Sequence, residues 1–590
     1  MSTPRFASLN EAYEGVAEVT TRGITIVGLD ETATHKSYAE LVMTARRLAT
    51  ALAATANIRP GDRVILLFDT SFEFVEAFIA LQLMGAIPVP CYPPPDLQRL
   101  EIALERLAQI AIVTGAIGCL ADGRFKTLIG PALIERTRIR QVFTLAELAI
   151  TDRAPAPWQR PAPSSTAIVQ CSSGSTGRPK GVVLSHRAMM HHLAGVEDRM
   201  RPDVATDVAV SWLPLYHDLG LVAFLLSSIC WGLPIVLLSP MSFVRRPELW
   251  LRTLHKYRGS ITGGPPLGYA LCVQRARLAE AEVLDLSSVR IALCGADWIN
   301  LQILDDFAAK YAPHGFRADA RAGCYGLAEA TVGVTTGLSD GPLRAEILDA
   351  RALERGDVLR VAAGAPASKV AVSAGVPLAG CGVLILDEAG RPAPDERVGQ
   401  IAVTGGWLMD RYIDDEPATR AALDSGVLTT GDLGFLSRGE LFVTGRVKDL
   451  IKIRGRNIYA SDIEEVAEMV AGVRKAGAVA FAVYDERAGS EEVVVVCEST
   501  SPPDARAAIA AEVQTQVSER LELRVREVMI VDRAAIPKTP SGKKQRLLTR
   551  ERYLSAELGR RRRWGRLAGL VVAARSITRG LLARVRRTSP

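Results

Sequence analysis

Residues 171–181, CSSGSTGRPKG, concentrate the groups that hold a phosphate. Gly174, Gly177 and Gly181 let the backbone turn its N–H groups toward an anion without obstruction by a Cβ. Ser172, Ser173, Ser175 and Thr176 add hydroxyl donors, and Lys180 adds a compact positive charge. The spacing is not that of a Walker A loop, which needs Gly-Lys-Ser/Thr after four intervening residues. Apolar runs at 167–169 and 182–184 flank the segment and predict a hairpin rather than a strand entering a helix. A flexible surface turn is the competing reading, and taken alone the segment indicates phosphate binding and nothing finer.

Two further segments carry chemistry of their own. In CYGLAEAT (324–331), Tyr325 can stack on a base and Glu329 is a hard oxygen ligand suited to Mg²⁺. CGAD (294–297) closes an apolar run, and ligands gather at the ends of parallel strands. His191, His192 and Asp198 superficially match a condensation-enzyme motif, but the spacing differs and no glycine follows.

The stretch SSGSTGRPKGV resembles the signature loop of the adenylate-forming superfamily, which includes acyl-CoA synthetases, peptide-synthetase adenylation domains and luciferases. Later segments match that family in order. The resemblance implies that Gly295, Ala296, Asp297, Tyr325 and Gly326 line the base, and that Asp432 of TTGD and Arg446 of GRVKD contact the ribose or phosphate. It implies that Lys448 is a hinge and that Lys543 of PKTPSGKKQR is catalytic, offsetting the repulsion between a carboxylate and the α-phosphate of ATP. His217 of SWLPLYHDLGL is implied near the α-phosphate and the acyl entrance, with a structural histidine as the alternative. ATP and Mg²⁺ follow as expected cofactors.

Three features resemble the fatty acyl-AMP ligases within that superfamily. They are the prolines and leucine-rich helix of 87–116, the wording SWLPLYHDLGL, and additional sequence at about 336–376. In that family the insertion hinders the rotation needed for thioester formation with CoA. A fatty acid substrate and an acyl carrier protein partner are then expected, in lipid, polyketide or lipopeptide biosynthesis. RGRNIYASDIEE (454–465) is closer to the CoA ligases, so a medium- or long-chain acyl-CoA synthetase is the runner-up. An inactive nucleotide-binding partner of a biosynthetic complex is the alternative of another class.

The elements that must position these residues follow from periodicity. Apolar runs at 64–68, 235–238 and 289–294 read as buried strands, and 100–112 and the stretch after Ser71 read as helices. This alternation predicts α/β architecture with two parallel-sheet subdomains. Short strands and turns over 333–445 predict a β-barrel-like subdomain. Helix 461–470, strands 476–484 and 492–497, helix 503–521 and strand 525–531 predict a small α+β domain, which the resemblance makes mobile. The expected division is 1–447, 448–550 and a basic tail at 551–590.

The chain has 590 residues and a formal charge of +6. Residues 556–590 hold ten arginines and one glutamate, a local +9 that leaves the remainder at −3. Confinement of the charge to one terminus argues against a nucleic-acid-binding protein. Apolar residues recur at helical spacing through 567–585, which predicts a cationic amphipathic helix suited to peripheral membrane contact. Docking to an acidic carrier and a solvated extension are the competing readings. Nine scattered cysteines without a C-x-x-C pair predict reduced thiols in a cytoplasmic protein, and no signal peptide or membrane span is expected.

Overall fold

The computed structural model describes residues 3–94, 100–148, 150, 153–172, 179–279, 282–337, 341–365, 368–453, 456–485, 490–538 and 543–558. The predicted tail helix lies outside these residues. Among them, no helix is long and apolar enough to cross a membrane.

Two parallel sheets organise the N-terminal region, as the strand–helix alternation predicts. The larger has nine strands. Gly23–Val27, Ile235–Leu238, Ala209–Ser211, Ile261–Gly264, Ile291–Cys294 and Arg321–Gly326 run parallel within it, with antiparallel strands at both edges. The smaller sheet is all parallel, in the order Ile87–Pro90, Arg63–Leu67, Gly118–Ala121, Gln141–Phe143. Runs such as Ile235, Val236, Leu237 and Leu238 are buried throughout, as strands covered on both faces must be. Helix Phe72–Leu83 starts where the Ser71 hydroxyl accepts the Phe74 N–H. The strand expected from 289 begins at Ile291, because the Val289 N–H donates to the Leu286 carbonyl and holds that residue in a turn.

Thr166–Ser172 and Lys180–Ser185 form the predicted antiparallel hairpin, widened by the short strand Arg411–Tyr412. Leu219–Leu226 is a π-helix, a form common at functional sites and invisible to a periodicity argument in so apolar a run. The β-rich region is a five-stranded antiparallel sheet built from Cys381–Leu386, Gly399–Gly405, Leu423–Asp424, Val427–Ser437 and Glu440–Arg446. The region of the expected insertion holds the two-stranded ladder Ala345–Asp349/Ser368–Val372 and helix Ala350–Glu354.

The C-terminal region has its own core. Ala478–Asp485, Ser490–Ser499 and Val525–Asp532 form a three-stranded mixed sheet, covered by helices Ala460–Met469 and Arg506–Leu521. Ile463, Val495, Val513 and Val517 meet in its centre. Each such side chain contributes about 1.5–3 kcal/mol by leaving water. A hairpin, Leu450–Ile453 with Arg456–Tyr459, precedes it and was not signalled by the sequence pattern.

All nine cysteines are free thiols. Even Cys171, Cys324 and Cys381, which are not fully covered, have thiols pushed up to about 12 by burial.

Candidate active site

The parallel strands Ile261–Gly264, Ile291–Cys294 and Arg321–Gly326 bring their C-terminal ends to one place. The backbone there is crowded and strained. A Cβ on Gly295 would lie 2.5 Å from the Cys324 carbonyl oxygen, and one on Gly326 would lie 1.6 Å from that of Val332. Ala296 has φ +62° and Thr331 φ +65°. For a β-branched residue this is an unfavourable conformation, costing on the order of 1–3 kcal/mol. Thr331 is nonetheless fully buried and donates its hydroxyl to the Trp407 carbonyl at 2.7 Å. Such strain, held by surrounding structure, concentrates at functional sites.

Asp432 and Arg446 face each other across the ladder of Val427–Ser437 and Glu440–Arg446. Arg446 Nε donates to Asp432 Oδ1 at 2.7 Å, and the Tyr325 hydroxyl donates to Oδ2 at 2.8 Å. Burial and then the Asp432 charge push the Tyr325 phenol well up, so it remains a neutral donor. An aromatic face, a carboxylate and a guanidinium at this spacing can hold a nucleoside.

On the phosphate side, Lys180 Nζ sits 4.2 Å from the centre of the Tyr412 ring, whose hydroxyl donates to Glu329 Oε1 at 2.8 Å. The Glu329 carbonyl accepts the Met409 N–H at 2.7 Å. Lys180 pairs with Ser172 at the loop end of the hairpin. Ser173, Gly174, Ser175, Thr176 and Gly177 lie outside the described residues. No group of three or more metal-ligating side chains occurs among the described residues. Glu329 alone fits Mg²⁺, an ion that takes one or two carboxylates and completes its shell with phosphate and water oxygens.

His217 Nδ1 lies 2.6 Å from Asp218 Oδ1. Burial would raise the Asp218 carboxyl. His217, the Leu219 N–H and the Lys543 ammonium outweigh that and hold it below the usual carboxylate range. The Lys543 charge, from the C-terminal region, is thus among those acting on Asp218. Asp297, exposed and bonded to the Trp298 N–H at 2.8 Å, is among the charges acting on Arg546 of the C-terminal region. Lys448 lies in the single turn Val447–Asp449 that joins the regions.

The structure thus forms three local groups from the expected residues: His217 with Asp218, Lys180 with Glu329 through Tyr412, and Tyr325 with Asp432 and Arg446. Sequence reasoning missed Tyr412, whose surroundings (MDRYIDDE) carry no spacing signal. It also missed Asp218, which adjacency to His217 could have suggested.

The sequence profile of the AMP-binding enzyme family matches residues 16–413. A medium-chain-fatty-acid–[acyl-carrier-protein] ligase, JamA of Moorena producens, is 33% identical over 88% of this chain and 90% of its own length. A Caulobacter vibrioides protein with the provisional name acyl-CoA synthetase is 34% identical over 88% of this chain and 90% of its own. A solved structure from work on the fatty acyl-adenylate ligases of E. coli and L. pneumophila superposes with TM-score 0.86 at 31% identity, covering 94% of this chain and 99% of that one. With the profile, the relatives and the strand-end geometry in agreement, the chain belongs to the AMP-binding enzyme family, on its fatty acyl-AMP ligase side.

Proposed function

We propose that this chain activates a fatty acid with ATP, releasing pyrophosphate, and passes the acyl group to the phosphopantetheine thiol of an acyl carrier protein. The observation that carries the reading is the group of Tyr325, Asp432 and Arg446 at the ends of the parallel strands, an aromatic face, a carboxylate and a guanidinium spaced to hold a nucleoside. A carboxylate oxygen of the substrate attacks the α-phosphorus, and the bond to the bridging oxygen breaks as pyrophosphate leaves with the electron pair. Two anions approach in that step, and Lys543 offsets their repulsion as charge develops. His217, held by Asp218, orients the α-phosphate at the acyl entrance. Lys180 and the hydroxyls of 172–176 hold the outgoing phosphates. Mg²⁺ on Glu329 would neutralise phosphate charge. Tyr325, Asp432 and Arg446 hold the adenosine.

Preference for a carrier thiol over CoA rests on contacts between the candidate insertion and the C-terminal region. Lys369 Nζ bonds Asp462 at 2.6 Å, and Arg456 bonds both oxygens of Glu354 at 2.8 and 2.9 Å. Arg351 pairs with Glu522. These pairs oppose the swing that thioester formation with CoA requires. The Caulobacter relative and the wording of 454–465 favour the second reading, an acyl-CoA synthetase. Peripheral membrane contact through the tail, on a cytoplasmic enzyme, is a finer proposal that rests on the sequence.

Hydroxylamine trapping with ATP, Mg²⁺ and dodecanoate, with and without CoA or a carrier protein, tests the reading. We expect hydroxamate in every arm and carrier thioester only with carrier. Acyl-CoA formed as readily as hydroxamate would overturn the carrier assignment, and absence of hydroxamate from any fatty acid would overturn activation itself.

A further inference from the structure

Glu464 is a buried carboxylate that nothing so far employs. It lies on helix Ala460–Met469 with its side chain 3% exposed, and four donors converge on it. Oε1 accepts Arg546 Nε at 2.7 Å and the Ala480 N–H at 3.1 Å. Oε2 accepts Arg546 Nη2 at 2.9 Å and Lys544 Nζ at 3.0 Å. Arg546 continues through Nη1 to Asp449 at 2.5 Å, one residue beyond Lys448. Lys544 also bonds Glu468 at 2.9 Å, and Glu468 is fixed by the N–H groups of Ala476 and Ala478 at 2.8 and 3.1 Å.

These contacts close the base of one loop. Lys538 and Lys544 form an antiparallel bridge, and the Gln545 N–H donates to the Pro537 carbonyl at 3.0 Å. In extended chain, successive side chains point to opposite sides. With Lys544 drawn inward by Glu464 and Glu468, this alternation assigns Lys543 the opposite side, and its charge is among those acting on Asp218. The doubled lysine therefore has a division of labour: one anchors, the other is presented.

We propose that Glu464 is a positioning residue for Lys543, acting through Lys544 and the Arg546 fork, and tying the Lys543 loop to Asp449, next to the expected hinge residue Lys448. The proposal rests on the reading of Lys543 as the adenylation lysine. A displacement of about 1 Å in such a group can cost on the order of a hundredfold in rate.

The test is a double-mutant cycle on full-length enzyme, read as hydroxamate formation. Glu464→Gln keeps shape and removes charge. We expect kcat to fall roughly 10- to 100-fold with KM for ATP within about twofold. Lys543→Ala combined with E464Q should be no slower than Lys543→Ala alone, because the two act as one unit. A merely structural role would instead give additive losses. Arg546→Lys, which keeps the charge and loses the bidentate fork, is the second variant and should follow the same pattern. Wild-type kcat in E464Q and R546K, or losses additive with K543A, overturns the proposal. Full activity in K543A overturns the underlying reading of Lys543 and the proposal with it.

Discussion

His192 accepts the Gly333 N–H at 3.0 Å through Nε2 and packs edge-on against Trp407, with no exposed surface. Burial lowers its pKa to about 3, and His186 is lowered by the same cause to about 4. Both imidazoles are neutral in the fold and protonate in the unfolded chain near 6.5. Their contribution is fully present above pH 6.5 and is lost as pH falls toward the folded values, because the unfolded state then binds more protons. For His192 the loss between pH 8 and pH 5 is about 2 kcal/mol. His192→Gln, measured by urea unfolding at the two pH values, should shrink the pH dependence by that amount; an unchanged slope would mean that the imidazole is charged in the fold. Adjacent His191 and His192 look like chemistry in the sequence and act, at 192, as packing. The reverse holds for Tyr412, which touches Lys180 and Glu329 yet sits far from both in sequence. Proximity of that kind is set by tertiary packing, so no local pattern records it.

Among the elements, the ladder Ala345–Asp349/Ser368–Val372 holds Lys369 where three others meet. Its ammonium lies 4.8 Å from the Trp298 ring centre and 4.3 Å from that of Tyr459, besides its bond to Asp462. Trp298 neighbours Asp297 at the candidate base site, so the contact spans from that wall to the C-terminal region. Exposed ion pairs are worth about 0–1 kcal/mol, but this lysine side chain is only 11% exposed and so is screened less. If the Lys369 and Glu354 contacts together bias domain orientation by about 2 kcal/mol, their loss shifts that equilibrium about thirtyfold. The K369A/E354A variant should therefore gain acyl-CoA formation severalfold or more while hydroxamate formation stays constant; no gain would remove these contacts from the account of thiol choice. Short apolar runs made the phosphate hairpin and strand Ile235–Leu238 legible. LGLVAFLL, apolar on every side, carries no periodicity from which a π-helix could be read. The paired strands Leu450–Ile453 and Arg456–Tyr459 are likewise too short and too mixed in composition to be read from pattern.

For the whole molecule, charge is divided unevenly: a body at −3 and 556–590 at +9. A cationic amphipathic segment is drawn to an anionic bilayer by about 1 kcal/mol per basic residue near the surface. Full-length protein should co-sediment with anionic liposomes severalfold more than a 1–555 truncation, and the difference should fade in high salt. Equal pelleting of the two would end the membrane proposal. The two-region architecture was legible because its motifs recur in a fixed order; the ion pairs that join the regions were not, since arginine and glutamate are abundant and their partners are chosen only in three dimensions.

The inert thiols have a practical side. Alkylating reagents react with thiolate, and a thiol pushed up to about 12 carries roughly a thousandth of the thiolate of an ordinary one at neutral pH. A single cysteine introduced at exposed Val283 and another at exposed Tyr484 would thus take up a fluorophore pair with the nine native cysteines left in place. The natural protein is already a clean background for asking, one molecule at a time, whether its C-terminal region turns.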